Sequence, residues 1–410
     1  MVEFSLSEEQ LALQKKARDF VNKEAKPYIA ELDKKHNPEE SVSNYLMRRS
    51  SEIGFRTMSI PKEFGGGGIE DPITAVIVAE ELGVGDVTLA SIPLNGRKFY
   101  HLMNSEITPK ETKEKWLSAF CKDPDFLIAI AMTEPDSGGD NILPYDSPNA
   151  GIQTKAIKKG DIYILNGKKH YIGHGGIAKL YCMFVRTDTT KGMSEGTSLF
   201  LIPEGHKGLK FGKVHDKLGF RLLRNQEIIL EDCKVPKEWM LGPENRAISA
   251  MRAGVRSDGI LNAARCLGVA RRAFEEITDF CKKRIQGGKP IIEHQAIACE
   301  LADMYITLKA MRSLVWNVAW SSENEIPHDP KQVPGAMAFC TENAFTIAHK
   351  AAELAGGRGV MKDEPFEKLL RDAFSIKHLD GGNYIKRLKV ANALKDSIQD
   401  PNLSFEPPIG

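Results

Sequence analysis

From Ser5 to about Phe120 the apolar positions recur with an approximately helical period: Ser7 is placed to cap a helix, and Gln10, Leu11, Leu13, Ala17, Phe20 and Val21 follow it. Helices are expected over this first third. Between about Ala129 and Trp239 the texture changes to short alternating runs, Ile162 to Leu165, Leu180 to Val185, Ser198 to Ile202 and Gln226 to Leu230, which read as strands. Asn166-Gly167 carries the two-residue hairpin signal and Pro203-Glu204-Gly205 closes another run, so a small antiparallel barrel or sandwich fits. After Pro243 long stretches rich in Ala, Arg, Leu and Glu return, over Met251 to Arg284, His294 to Ser321, Pro334 to Leu354 and Ile385 to Asp396. The segment Ser322 to Pro334, with Pro327, Pro330 and Pro334, is expected to be a loop between two of these helices. The chain is therefore α+β in three parts: residues 1–120 helical, 121–240 a β domain, 241–410 a helical bundle. A doubly wound dinucleotide fold is excluded, because α/β alternation is absent and no G-x-G-x-x-G follows a strand.

Charge adds a constraint. Lys and Arg number 56 and Asp and Glu 55, a net charge of +1 over 410 residues, so no global field selects nucleic acid or an anionic membrane, and binding specificity must be local. No apolar run approaches the roughly 18 residues of a spanning helix and the amino terminus lacks a signal-peptide pattern, so a cytoplasmic protein is expected. The seven cysteines are odd in number without C-x-x-C spacing, and the ten histidines show no metal-ligand spacing. Neither a disulfide framework nor a metal centre is expected.

Several segments can carry chemistry. The run Ile60-Pro61-Lys62-Glu63-Phe64-Gly65-Gly66-Gly67-Gly68 lacks the Gly-Lys-Ser/Thr ending of a triphosphate-binding loop and also suits a turn needing positive φ. In Ala131 to Asp140, free N–H groups of a Pro/Gly turn and the Thr133 hydroxyl can donate to an electron-rich ring edge, though Pro-Asp-Ser-Gly-Gly is also an ordinary turn. Tyr171, on an extended segment, can stack on a flat cofactor or simply pack. Arg284 opens a basic Gly-containing loop suited to a pyrophosphate or to solvent, and Gly356-Gly357-Arg358-Gly359 ends a helix. In His378-Leu379-Asp380-Gly381-Gly382-Asn383 a carboxylate stands beside two glycines, as a helix cap or as a general base.

Taken in order, these segments resemble the acyl-CoA dehydrogenase superfamily of FAD flavoproteins along nearly the whole chain. Ile60 to Gly68 resembles its I-P-x-x-F/Y-G-G-x-G, Met132 to Asp140 its M-T-E-P-x-A-G-S-D, and Lys168 to Gly173 its K-x-W-I-T. Arg284 to Gln295 resembles R-x-x-F-G-x-x-I-x-x-x-Q, and Glu353 to Gly359 resembles Q-x-x-G-G-x-G. The resemblance implies an α domain, a β domain and a four-helix α bundle, usually assembled as homotetramers or dimers. It also implies that Met132, Thr133, Gly138, Gly139 and Gly173 meet the flavin, with Tyr171 in place of the family's tryptophan. Arg284, Gln295, Glu353, Gly356 and Gly357 would meet the FAD pyrophosphate and adenosine across a subunit boundary, and Gly382, Asn383 and Tyr384 match a further FAD contact. Asp380 falls on the catalytic glutamate's position, and an electron-transfer flavoprotein is the implied oxidant.

Departures from the pattern bear on the substrate. Asp380 is one methylene shorter than glutamate, and with Gly381 and Arg387 it resembles the nitroalkane oxidase branch, which uses an aspartate and no coenzyme A. Asp258 lies where isovaleryl-type dehydrogenases place their base; Gly139 replaces a serine at the flavin or substrate, Gly173 a threonine and Gly259 an arginine. Ser91 matches the pocket wall. The form Thr133-Glu134-Pro135-Asp136 favours a dehydrogenase acting on an unusual, branched or cyclic, thioester over the oxidase. A DNA-binding branch is disfavoured by the near-zero charge and by the acidic, proline-rich tail Asp400 to Pro408. Because a carboxylate with a pKa of about 4 is a weak base, burial beside an apolar substrate is expected to raise that of Asp380.

Overall fold

The computed structural model describes residues 5–104, 108–142, 146–248, 251, 258–324 and 329–399. The chain opens on helix α1 (Glu8–Phe20), held by a reciprocal cap in which Ser7 Oγ accepts from Gln10 N and Gln10 Oε1 accepts from Ser7 N. A π turn over Val21–Ala25 leads into α2 (Lys26–Asp33), and α3 (Asn44–Ile53) is stopped by Gly54 at φ +100°. Helix α4 (Pro72–Gly85) starts where Asp71 accepts from the N–H groups of Ile73 and Thr74, and it is buried along almost its entire length. Helices α5 (Ser91–Met103) and α6 (Lys110–Lys122) complete this part.

Seven strands follow: β1 (Ile128–Ala131), β2 (Lys155–Lys159), β3 (Ile162–Gly173), β4 (Leu180–Arg186), β5 (Thr197–Pro203), β6 (Leu209–Val214) and β7 (Asn225–Pro236). The sheet order is β1-β4-β2-β3-β7-β6, with β5 also paired to β4. Two features differ from the sequence expectation. The sheet is mixed, since β4 runs parallel to β1 and to β2. Asn166-Gly167 is no hairpin turn: it sits inside β3 at a register shift against β7, and the β2–β3 reversal is made at Gly160, φ +62°. Gly167 is required there by contact, because a Cβ would come within 2.6 Å of Thr154 Oγ1, so the local turn signal marks a bulge.

The last part holds α7 (Gly259–Lys283), α8 (Gln295–Asn324), α9 (Gln332–Leu354), α10 (Phe366–Ile376) and α11 (Gly382–Gln399). Helix α9 begins two residues earlier than its expected start and takes Pro334 into its first turn, where the missing N–H costs nothing. Helix α10 was absent from the sequence reading, although Phe366, Leu369, Ala373 and Ile376 bury one face of it. One core runs from α4 through α7, α8, α9 and α10. Its closest approach is α4 against α7, where a Cβ on Gly83 would lie 2.8 Å from the Arg265 carbonyl and one on Gly268 would collide with that of Glu80.

Candidate active site

Just past β1 the chain turns at Pro135-Asp136, closed by Glu134 N donating to Ser137 O at 2.8 Å. The Glu134 side chain is buried and accepts from the N–H groups of Gln153 (2.7 Å) and Thr154 (2.9 Å) and from Lys169 Nζ (2.7 Å). Lys169 is sealed from solvent and also donates to the Met132 carbonyl at 3.2 Å. Burial pulls the lysine down to about 8 against the opposing pull of Glu134. For Glu134, burial pushes the carboxyl up, but Lys169 and the hydrogen bonds from Thr154 and Gln153 outweigh it and leave the pKa below the ordinary value. With His170 N donating to Thr133 O at 2.8 Å, this ion pair clamps the Met132–Gly139 loop onto β3.

Two groups stand beside the clamp. The half-buried Thr133 hydroxyl has no hydrogen bond among the described residues. Tyr171 sits in the second bulge of β3 at φ +57°, its carbonyl held by Asn225 Nδ2 at 2.6 Å, and the residue is 57% exposed. This exposed ring, bordered by His170 and His215 at centroid distances of 4.1 and 4.6 Å, and an unused hydroxyl on an adjoining segment fit a flat heteroaromatic ring with an acceptor at its edge. Gly138 and Gly139 adjoin the same loop, and Gly173 ends β3.

Asp380 comes to this loop from the other end of the chain. Leu379–Gly381 is a single 3-10 turn in which Asp380 takes φ +50°, ψ +45°, followed by Gly381 at +84° and Gly382 at +75°. Three left-handed residues in a row explain the paired glycines, since only glycine takes φ > 0 without strain. Lys386 Nζ holds the turn by donating to Leu379 O at 2.9 Å, and Asn262 Nδ2 on α7 donates to Asp380 Oδ2 at 2.6 Å. The Gly139–Ile142 turn packs against this segment: a Cβ on Gly139 would touch Ile385 Cγ1 at 3.4 Å.

The protein's own groups do not make Asp380 a stronger base. As a residue Asp380 is exposed, while its carboxylate lies deep among neighbouring groups; desolvation pushes its pKa up, but Lys98, Arg265, Lys386 and Lys389 together hold it below the usual aspartate value. The cations outweigh the desolvation.

The other candidates separate by placement. Asp258 is 0% exposed and is engaged by Arg97 Nε at 3.0 Å and His101 Nδ1 at 2.9 Å, which tie the start of α7 to α5. Ser91 is buried and donates to Thr88 O at 2.5 Å. Asn383 is spent inside the fold: its Oδ1 accepts from Thr341 at 2.8 Å and its Nδ2 donates to Glu342 at 2.9 Å. Arg387 lies 3.6 Å from Glu342, and Tyr384 is 87% exposed. Arg284 and Gln295 are exposed at the α7–α8 turn, with Glu353, Gly356 and Gly357 at the end of α9; the 5.9 Å approach of Arg358 to the Phe280 ring brings the α9 and α7 ends together. From Asn262 to this end, α7 rises about 32 Å at 1.5 Å per residue. These five residues therefore cannot join the Thr133–Asp380 cluster within one chain.

The sequence reading missed Asn262, Arg265 and the Glu134–Lys169 clamp. Asn262 falls one turn after Asp258, but nothing local links it to a residue 118 positions away.

A helical part, a curled sheet and a helical bundle, with the Asp380 turn packed on the loop that follows β1, define a three-domain flavoenzyme architecture. The sequence matches the acyl-CoA dehydrogenase N-terminal domain over residues 7–123, the middle domain over 129–233 and the C-terminal domain over 249–395. It is 31% identical over 395 residues to a short-chain specific acyl-CoA dehydrogenase of Clostridium acetobutylicum, covering 96% of this chain and 100% of that one. The fold is similar to that of butyryl-CoA dehydrogenase from Megasphaera elsdenii (TM-score 0.85, 28% identity, 96% of this chain and 100% of that one). It is also similar to a chain in the structure described as the electron transferring flavoprotein of Acidaminococcus fermentans (TM-score 0.86, 30% identity, 96% and 99%). The chain belongs to the acyl-CoA dehydrogenase family, whose three-domain fold it has, and is an FAD-dependent oxidoreductase acting on CH–CH groups. Among the described residues no helix is long and apolar enough to cross a membrane.

Proposed function

We propose that this protein is an acyl-CoA dehydrogenase in which Asp380 removes the α proton of a bound acyl thioester. FAD, when bound, supplies the acceptor for the β hydride. Thr133 and the Met132–Gly139 turn would hold the ring edge, Tyr171 its face, and Gly173 the strand end beside it. Asn262, donating to Asp380 Oδ2 at 2.6 Å, orients the carboxylate, leaving its other oxygen to take the proton. The nearby cations keep that carboxylate ionised and ready to accept. The observation that carries this reading is the packing of the Gly139–Ile142 turn on Leu379–Gly381, which joins the ring-binding loop and the base across two domains. Asp258, locked by Arg97 and His101, serves as an anchor for α7.

The distant Arg284, Gln295, Glu353, Gly356 and Gly357 would bind the pyrophosphate end of a neighbouring chain's FAD, which supports a homotetramer. An electron-transfer flavoprotein is the proposed oxidant, and the cytoplasm the proposed location. The test is anaerobic mixing of the holoprotein with acyl-CoA thioesters and, separately, nitroethane, following flavin absorbance. Bleaching by thioesters is expected; bleaching by nitroethane alone would overturn the assignment.

A further inference from the structure

Helix α7 presents Asp258, Asn262 and Arg265 on one face, at i, i+4 and i+7. Asp258 is paired to α5 and Asn262 touches Asp380, while Arg265 is 5% exposed. Among the described residues its guanidinium has neither a hydrogen bond nor a salt bridge. Nε is sealed from solvent without a partner, and the group's recorded contact is the face of the Phe220 ring, 5.2 Å away. Two other buried arginines are satisfied: Arg56 donates to Ser51, Phe126, Phe120 and Asp123, and Arg186 donates to the carbonyls of Ile152, Lys191 and Ala150. A buried, uncompensated guanidinium is costly enough that its persistence points to an anion that arrives with a ligand.

The position says which ligand. Arg265 is three residues beyond Asn262, about 4.5 Å along the helix axis. Arg265 makes no ion pair with Asp380, whose carboxylate is held by Asn262 from the same face of the helix. The Asn262 Oδ1 atom, on the same helix face one turn before Arg265, is also buried and unpartnered. An alkyl tail would leave both polar groups unsatisfied.

We infer that Arg265 receives a carboxylate at the far end of the substrate's acyl group, so that the substrate class is a short dicarboxylic acyl thioester. The inference rests on the dehydrogenase reading: the thioester α carbon faces Asp380 and the distal carboxylate sits on the guanidinium, in a charge-assisted bidentate contact. The Asn262 carbonyl remains for a hydroxyl or water beside it.

The test is kcat/KM of the holoenzyme for succinyl- and glutaryl-CoA against butyryl- and valeryl-CoA, repeated with Arg265→Gln and Arg265→Lys. Loss of a buried charge pair is worth about 100-fold. The wild type should prefer the dicarboxylic substrates by about that factor. R265Q should lower the preference ratio by a similar factor, mainly through KM, and R265K should restore part of it. A wild-type preference for butyryl- or valeryl-CoA overturns the inference while leaving the dehydrogenase reading intact. So does an equal loss on both substrate classes in R265Q, which would confine Arg265 to keeping Asp380 ionised. Failure of every thioester to bleach the flavin overturns both. If R265Q does not hold flavin, the wild-type ratio alone decides.

Discussion

Replacing Lys169 with methionine tests the clamp on which the ring-binding loop depends. Lys169 is wholly buried, bonded at 2.7 Å to Glu134 and at 3.2 Å to the Met132 carbonyl, so K169M removes both contacts and strands a buried carboxylate. The two backbone N–H donors from Gln153 and Thr154 remain and soften the loss. Breaking a buried ion pair from one side costs about 3–5 kcal/mol, and the lower end is expected here because of those donors. At about 2 °C per kcal/mol for a large chain, the holoenzyme midpoint should fall by roughly 6 °C. Flavin should also dissociate more readily, since the Met132 carbonyl is set free. The assay is thermal unfolding at fixed protein and FAD concentration, together with flavin content after gel filtration. Adding Glu134→Gln should recover most of the loss, because a neutral pair leaves no buried charge; the double-mutant cycle measures that coupling. A K169M loss below about 1 kcal/mol, or additive single effects, would refute the clamp.

Asp380→Asn should keep the yellow colour and lower kcat by about 10²- to 10⁴-fold, the usual contribution of a positioned base; near-normal turnover would move the base elsewhere. Because the Asp380 pKa is lowered, the carboxylate stays ionised above the ordinary aspartate range and its competence is lost only as pH falls through that lowered value. The kcat/KM profile for a thioester with an uncharged acyl chain should therefore be flat down to about pH 5, and an acid limb near pH 6–7 would contradict the cationic surroundings. Gly96→Ala should prevent normal folding, since a Cβ would collide with the Arg56 carbonyl; soluble, flavin-loaded protein in wild-type yield would show that α5 can shift.

The division of labour between sequence and fold follows from range. Helix caps, strand alternation and the need for glycine at Gly381 and Gly382 depend on residues within one or two turns, so Ser7, β3 to β5 and the Asp380 turn were legible along the chain. Resemblance supplied the candidate roles of Thr133, Tyr171 and Asp380, but not their surroundings. Asn166-Gly167 misled because its glycine answers to Thr154 across the sheet. The electrostatics of Asp380 depend on the fold for the same reason: Lys98, Arg265, Lys386 and Lys389, on three elements that meet only after folding, hold its pKa down. Sequence by itself determined most helices and strands and which residue types were on hand, while α10 and the course of β3 through Asn166-Gly167 depended on packing. The tertiary structure alone decided which charges share a site, because electrostatic coupling depends on distance and burial, and neither is written in linear order.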